Sequence, residues 1–477
     1  MPWHQILAPA GTVKFFLGSC MRPGNVDECA AGCITQGKGG DPMRREPLIM
    51  ACCSDIAGQV RGKAFAAREF EQRSASGIGW CPTNIQITAF DQIAESPFGA
   101  LGDLLLMPDP GTRVDIDFGP DDPGDHFVLC DLTHTDGRPW ECCLRTALKD
   151  ALAALEAETG LHLIAAFEHE FHFTGDAGEA GGAYALRSMR RGAGLGEALL
   201  AVLDQAGIEV GLFHPEYGAA QYEISVAPRP GLAAADQAVV LRELTRSVGE
   251  RLGQRITFSP AVAGMGVGNG VHVHMSLIDA DGEPVMYAAD GPGGLSRVGG
   301  SFVAGLVRHL PALVALTAAS TVSYQRLVPH RWSAAFDNLG LRDREAALRI
   351  CPVREDEDVA RAYNVEYRAA DAAASPYLLL AALVRAGLQG LRESLPTPEP
   401  TEEDLALRSE AELKARGIRR LPTSLVEALA AFEADEVATS WWPPQLLDVY
   451  LKHKRGEIAL LEGLSEEEQA RRYAFVY

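Results

Sequence analysis

The stretch that decides the fold is Phe167-Glu168-His169-Glu170-Phe171-His172-Phe173. In an extended strand, successive side chains point to opposite faces. Glu168, Glu170 and His172 therefore share one face and the three phenylalanines take the other. The same two-residue rhythm returns three times downstream. In Tyr222-Glu223-Ile224-Ser225-Val226, Glu223 sits on the polar face. In Val271-His272-Val273-His274-Met275-Ser276, both histidines and Ser276 share a face; in Val365-Glu366-Tyr367-Arg368, Glu366 and Arg368 do. One such segment alone is most often a half-exposed strand with solvated charges. Together the four carry carboxylates, imidazoles and an arginine, where a solvated face would carry Lys, Thr, Ser or Gln. They read as one sheet with a chemical face.

A curved antiparallel sheet lined by Glu168, Glu170, Glu223, Glu366 and His272, with Glu216 just upstream, can hold hard divalent cations. Ligation rich in carboxylate and poor in imidazole suits Mg2+ or Mn2+ better than a closed tetrahedral zinc site. Such ions bridge the phosphates of a nucleotide. A second constellation is basic: Arg326, Arg331, Arg342, Arg344 and Arg349 lie close together in the chain. Arginine grips carboxylate or phosphate through a planar donor fork and keeps its charge at neutral pH. Beside an acidic metal site this points to phosphoryl transfer onto a carboxylate. Ion pairing with neighbours such as Asp343 and Glu345 is the plainer alternative.

Outward from these segments, 477 residues allow two or three domains. With 47% hydrophobic and 22% charged residues, the chain reads as packed rather than disordered. A formal net charge of -21 argues against nucleic acid or an anionic membrane as partner. No uninterrupted apolar run is long enough to span a bilayer. Near the start, Lys14 interrupts the apolar stretch and no basic region precedes it, so a secretory leader is not expected. Ten cysteines form neither a CxxC framework nor a metal-finger spacing. Reduced thiols in a cytoplasmic protein are expected.

Residues 1–45 are rich in Gly and Pro, show no period and read as a poorly defined extension. Residues 46–142 read as a small β-rich domain, with strand-like segments at 48–55, 84–90, 111–118 and 126–131. A helix at 143–159 opens a larger region that runs to residue 477. Further helices are expected at 195–206, 233–252 and 376–391, with a charged helical tail from 401.

The order of these segments resembles the glutamine synthetase family from about residue 48 onward. The family's "ExE" metal strand resembles Glu168-His169-Glu170, and its acidic loop and strand resemble the stretch from His214-Pro215-Glu216 to Gln221-Tyr222-Glu223. Its histidine signature is similar to Gly268-Asn269-Gly270-Val271-His272-Val273-His274-Met275-Ser276-Leu277. Its arginine loop resembles Ser323-Tyr324-Gln325-Arg326-Leu327-Val328-Pro329, and its ATP-binding run resembles Arg342-Asp343-Arg344-Glu345-Ala346-Ala347-Leu348-Arg349. Val365-Glu366-Tyr367-Arg368 followed by Ser375-Pro376-Tyr377 resembles the last metal strand and its turn. Six motifs in order are far more specific than any one of them.

The resemblance implies an α+β fold: a small N-terminal β-grasp-like domain and a large catalytic domain whose curved antiparallel sheet is flanked by helices. It implies that Glu170, Glu216 and Glu223 hold one Mg2+ or Mn2+ and that Glu168, His272 and Glu366 hold another. His274 and Ser276 would touch ATP, with Arg344 and Arg349 on its phosphates, and Arg344 acting in catalysis. Arg326 and Arg368, with the backbone at Gly268, would hold glutamate. Ser54-Asp55-Ile56-Ala57-Gly58 resembles the segment that enters a neighbouring subunit's site, and Asp55 inherits the role of deprotonating the incoming amine. A homo-dodecamer of two stacked hexameric rings is implied, with sites shared between subunits. The implied reaction is formation of a γ-glutamyl phosphate from glutamate and ATP, which an amine then attacks.

The sequence departs from the family at its flap. The flap glutamate, expected six residues after Arg326, is Trp332, within Pro329-His330-Arg331-Trp332-Ser333. An indole in place of a carboxylate removes the charge that would stabilise ammonium and brings an apolar face on which a larger cation can stack. An amine larger than ammonia is therefore expected, unless Trp332 packs outward and Asp337 stands in. A glutamate-binding asparagine is replaced by Val267, for which Asn269 could compensate, and a glycine before Gln221 by Ala220. The late-loop tyrosine motif for adenylylation is not recognisable around residues 391–400. True glutamine synthetase activity and a catalytically silent relative are the alternatives. The full set of carboxylates speaks against silence, because like charges converge at a cost unless something binds them.

Overall fold

The computed structural model describes residues 46–174, 181–264, 266–354 and 358–477. The expected extension at 1–45 lies outside them. From Pro47 to Tyr477 the chain forms one compact unit.

Its first part is a six-stranded sheet of β1 (Leu48–Ser54), β2 (Val60–Ala66), β3 (Ile78–Trp80), β4 (Leu104–Pro108), β5 (Val114–Ile116) and β6 (Asp125–His134). The strand order is β2-β1-β6-β4-β3, with β5 also on β6; β1 and β6 run parallel and the other pairs antiparallel. The expected strand at 84–90 is instead a 3₁₀ turn, Pro82–Gln86, followed by a tight reversal. Proline at the turn's start presets the backbone. Thr88 Oγ1 then accepts the amides of Phe90 and Gln92 across the reversal. The expected strand at 111–118 shrinks to β5, because Asp109 caps a 3₁₀ turn at Pro110–Thr112.

Helix α1 (Leu144–Thr159) follows and ends on Gly160 in the left-handed conformation, which a residue without Cβ adopts freely. The large sheet then begins with β7 (His162–Thr174), a 13-residue strand. Next come α2 (Leu186–Gln205), β8 (Val210–Pro215), β9 (Gln221–Val226), β10 (Arg229–Pro230), α3 (Gly231–Arg251), β11 (Arg255–Thr257) and β12 (Val271–Ile278). After α4 (Arg297–Thr317) come β13 (Leu339–Leu341), β14 (Leu348–Ile350), β15 (Val365–Tyr367) and α5 (Pro376–Arg392). The sheet order is β13-β14-β15-β12-β7-β9-β8, with β10 and β11 also on β7. All pairs are antiparallel except β13 with β14. This is the expected α+β fold.

The apolar face of β7 and β9 carries Phe167, Phe171, Phe173, Tyr222 and Ile224, all buried. It packs on α3, and β8 packs on α2. Two glycines in α2 make that approach possible. A Cβ at Gly192 would lie 2.3 Å from the Tyr222 ring, and one at Gly196 would lie 2.6 Å from the Phe213 ring. Gly-rich α2 thus seats the β8–β9 hairpin, which carries acidic residues on its other side. Behind it α5 packs against α1, α3 and α4. Helix α4 is the one described helix long and apolar enough to cross a bilayer, and it lies mostly buried inside the fold. Its period was masked in the sequence by a Gly-Gly start and by Pro311.

Candidate active site

The strand pairings bring the four polar faces together. Glu170 lies opposite Glu223, and Glu168 opposite His272. His274 lies opposite Glu366, and Arg349 opposite Glu366 from the other side. Residues almost two hundred positions apart thus meet on one surface, and all of these but the fully buried Glu366 line a cleft of about 670 Å3.

Three groups of ligand atoms lie within 4.8 Å of one another: Glu168 with His272 and Glu366, Glu170 with Glu223 and His272, and His214 with Glu216 and Glu223. The first is the trio expected for one cation. The expected set Glu170, Glu216 and Glu223 is divided between the other two groups, which share Glu223. His214 was missed by the sequence reading. Its signal was its place opposite Glu223 in the hairpin, with Nε2 3.1 Å from Glu216 and 3.5 Å from Glu223. Tyr184 Oη donates to Glu216 at 2.8 Å and orients that carboxylate. Gly270 N–H donates to Glu170 at 2.8 Å.

The electrostatics fit a divalent cation. Burial, then the charges of Glu168 and Glu170, hold the Glu223 carboxyl far above its usual range. Burial also opposes ionisation of Glu366, but Arg368, His272, His274 and Arg349 outweigh it and bring that carboxyl down to about 2. Burial opposes the charge of Glu168 too, and hydrogen bonds from His272 and His274 overcome it. Ionised oxygen donors pressed together in low dielectric are what a hard cation stabilises.

Not every expected residue lines this cleft. His274, Arg326, Arg344, Arg349, Arg368 and the Gly268 backbone do. Arg326 is buried and donates to Ala370 O at 2.6 Å and Ser333 Oγ at 3.1 Å, while Arg349 and Arg368 both grip Glu366. Arg331 also lines the cleft, whereas Arg342 faces a separate depression. Ser276 follows His274 on the same strand face yet stands outside the lining. His172 shares parity with Glu170 but is wholly buried, its Nδ1 2.8 Å from Asn269 Oδ1, and burial lowers its pKa to about 4. Asn269 is itself buried and donates to Ser259 O at 2.9 Å, so it does not compensate for Val267. Asp55 lies outside its own chain's cleft, buried and paired with Arg61 Nε at 2.6 Å.

Family models compared with the chain agree with this geometry. "Glutamine synthetase, catalytic domain" matches residues 141–473, and "Glutamine synthetase N-terminal domain" matches residues 42–140. The chain belongs to the glutamine synthetase family. It is a ligase of that family, whose members use ATP and divalent metals and join glutamate to ammonia or an amine. Among its relatives is the gamma-glutamylpolyamine synthetase GlnA3 of Streptomyces coelicolor, 36% identical over 96% of this chain and 98% of that one. A solved structure titled as a novel glutamine synthase homolog is 42% identical, with a TM-score of 0.84 over 92% of this chain and 100% of that one. An ADP complex of GmaS is 27% identical, with a TM-score of 0.75 over 88% of this chain and 95% of that one.

Trp332, expected at the flap, lines the cleft rather than packing away from it. Its indole is 52% exposed, and its ring centroid lies 5.6 Å from that of Tyr217, another cleft residue. Asp337 does not stand in for the missing carboxylate. It is buried outside the cleft, with its two oxygens held by Arg419 N and Nε, both at 2.5 Å.

Proposed function

We propose that this glutamine synthetase-family ligase joins the γ-carboxylate of glutamate to an amine larger than ammonia, and that the amine is a polyamine. The observation that carries the reading is the Trp332–Tyr217 pair at the cleft, where an ammonia-using site would need a carboxylate. Two aromatic faces beside the acidic Glu216 suit an alkyl chain that carries a second positive charge. The name of the Streptomyces coelicolor relative supports the polyamine class.

In this reading Arg326 and Arg368 hold the glutamate carboxylate, with the Gly268 carbonyl facing its ammonium group. Arg344 and Arg349 face the nucleotide phosphates, where a fixed planar donor suits developing charge. Glu168, His272 and Glu366, and Glu170, Glu216 and Glu223 with His214, would hold two Mg2+ or Mn2+. When bound, these ions supply neutralisation of charge between the nucleotide and the γ-carboxylate. Attack by that carboxylate on ATP gives γ-glutamyl phosphate and ADP. The amine must then lose a proton before its lone pair can displace phosphate. His274 lies on the nucleotide side, and Ser276 has the weaker claim to nucleotide contact.

Asp55 remains the candidate base, from a neighbouring subunit. We infer a homo-dodecamer of two stacked hexameric rings, which the likeness to the family supports; in the single chain Asp55 is buried against Arg61. Native mass spectrometry should find twelve chains, and a monomer as the active species would remove Asp55 from the site. Cytoplasmic localisation belongs to the same proposal, supported by the free thiols of seven described cysteines.

Phosphate release from MgATP and glutamate tests the reaction, with ammonium compared against diamines, polyamines, alkylamines and arylamines. A polyamine should exceed ammonium by more than about tenfold in kcat/KM, roughly 1.4 kcal/mol of transition-state preference. If ammonium is the better substrate, the larger-amine reading is wrong.

A further inference from the structure

The loop that carries Trp332 has an unusual backbone. His330 and Trp332 both adopt left-handed conformations, at φ 59° and φ 51°, which residues with a Cβ rarely do. Such a loop persists only where its surroundings hold it. One carboxylate holds both left-handed amides, and the His330 ring is also held by Asp404, with Nε2 3.0 Å from Oδ2. Glu345 Oε2 accepts the His330 N–H and Glu345 Oε1 accepts the Trp332 N–H, each at 3.0 Å. From the other side Arg368 Nη2 donates to Trp332 O at 3.2 Å. The residue is half exposed, and among the described residues its ring contact is with Tyr217. Its place is therefore set by its backbone, and the backbone by Glu345.

We propose that Glu345 is a positioning residue for amine selection: its two oxygens hold the flap so that Trp332 faces Tyr217 across the amine entrance. The claim rests on the reading that Trp332 meets the amine. Glu345 touches no reactant in this arrangement and acts only through Trp332. It also follows Arg344, so nucleotide binding serves as the control for a general disturbance of the loop.

The test compares wild type with Glu345→Ala and Glu345→Gln as full-length enzymes. Glutamine keeps one oxygen acceptor and turns an NH2 toward the second amide, so it should fall between wild type and alanine. With the preferred polyamine, kcat/KM should fall about tenfold in Glu345→Ala. With hydroxylamine, a nucleophile too small to reach the indole, γ-glutamyl hydroxamate formation should stay within about twofold, as should KM for MgATP and glutamate. Equal losses with both nucleophiles, or no loss with either, would overturn the proposal. Trypsin cleavage after Arg331 reads the flap independently of any amine. It should accelerate in Glu345→Ala, and an unchanged rate would also overturn the proposal. If wild type prefers ammonium but cleavage accelerates, the polyamine reading fails while the Glu345 contact stands.

Discussion

Replacing Glu223 with glutamine is expected to abolish ligase activity while raising the melting temperature of the metal-free protein. Glu223 is shared by two of the three candidate ligand groups, so its loss disturbs both. Losing one preorganised charge partner of a transition state costs roughly 10²–10³-fold in kcat, and a shared ligand belongs at or beyond the upper end. The stability effect runs the other way. Burial and the neighbouring Glu168 and Glu170 raise the carboxyl's pKa in the fold, so its ionised form is disfavoured there. A carboxyl raised in this way supports folding while protonated, and that support is lost as pH rises. The advantage of Glu223→Gln should therefore widen as pH climbs above the ordinary glutamate range. Replacing this buried, crowded carboxyl with a neutral amide is worth about 1–3 kcal/mol, a rise of about 1 °C per kcal/mol in a chain of 477 residues. Adding Mg2+ or Mn2+ should reverse the order, because wild type gains a ligated ion and the variant does not. Differential scanning fluorimetry across pH, with and without metal, measures both effects. A variant that stays active, or melts lower than wild type without metal, contradicts this account of the site.

The second large effect is expected at the flap. Trp332→Glu should move the preference from a polyamine toward ammonium by about 10²-fold in the ratio of kcat/KM values. Part of that shift is the loss of the aromatic face, worth about 0.5–1 kcal/mol to a cation at a half-exposed ring. The rest comes from a carboxylate placed where a small ammonium ion needs a counter-charge. Trp332→Phe should lie close to wild type for the polyamine, since it keeps a ring opposite Tyr217 at 5.6 Å. Both variants keep the backbone bonds to Glu345 and Arg368, so glutamate-dependent binding of MgATP should change little. A polyamine kcat/KM unchanged in Trp332→Glu would mean that the indole does not meet the amine.

Much of the chemistry was legible because strand periodicity is local. Glu168 and Glu170 must share a face in any strand that contains them, and His272 with His274 likewise. The motif order was equally plain, and it pointed to the glutamine synthetase family before any contact was known. Local pattern failed where turn chemistry competed with it. The 84–90 segment has the composition of a strand, but Pro82 and Thr88 bend it into a turn. It failed again for α4, whose Gly299-Gly300 start and internal Pro311 hide the helical period.

What the sequence could determine was which residue types carry the chemistry, on which strand face, and in which family order. Only the tertiary structure decided partnership, because partnership depends on register between strands far apart in the chain. Register put His214 beside Glu223 and split the expected metal trio between two groups. It closed Asn269 over His172, which by parity alone belonged in the cleft. The loop geometry likewise lay beyond sequence reading. Two left-handed residues with side chains, held by the two oxygens of Glu345, decide that Trp332 faces the cleft while Asp337 turns away to Arg419. A residue's identity states what it can bind; the backbone around it, fixed by distant hydrogen bonds, states what it meets.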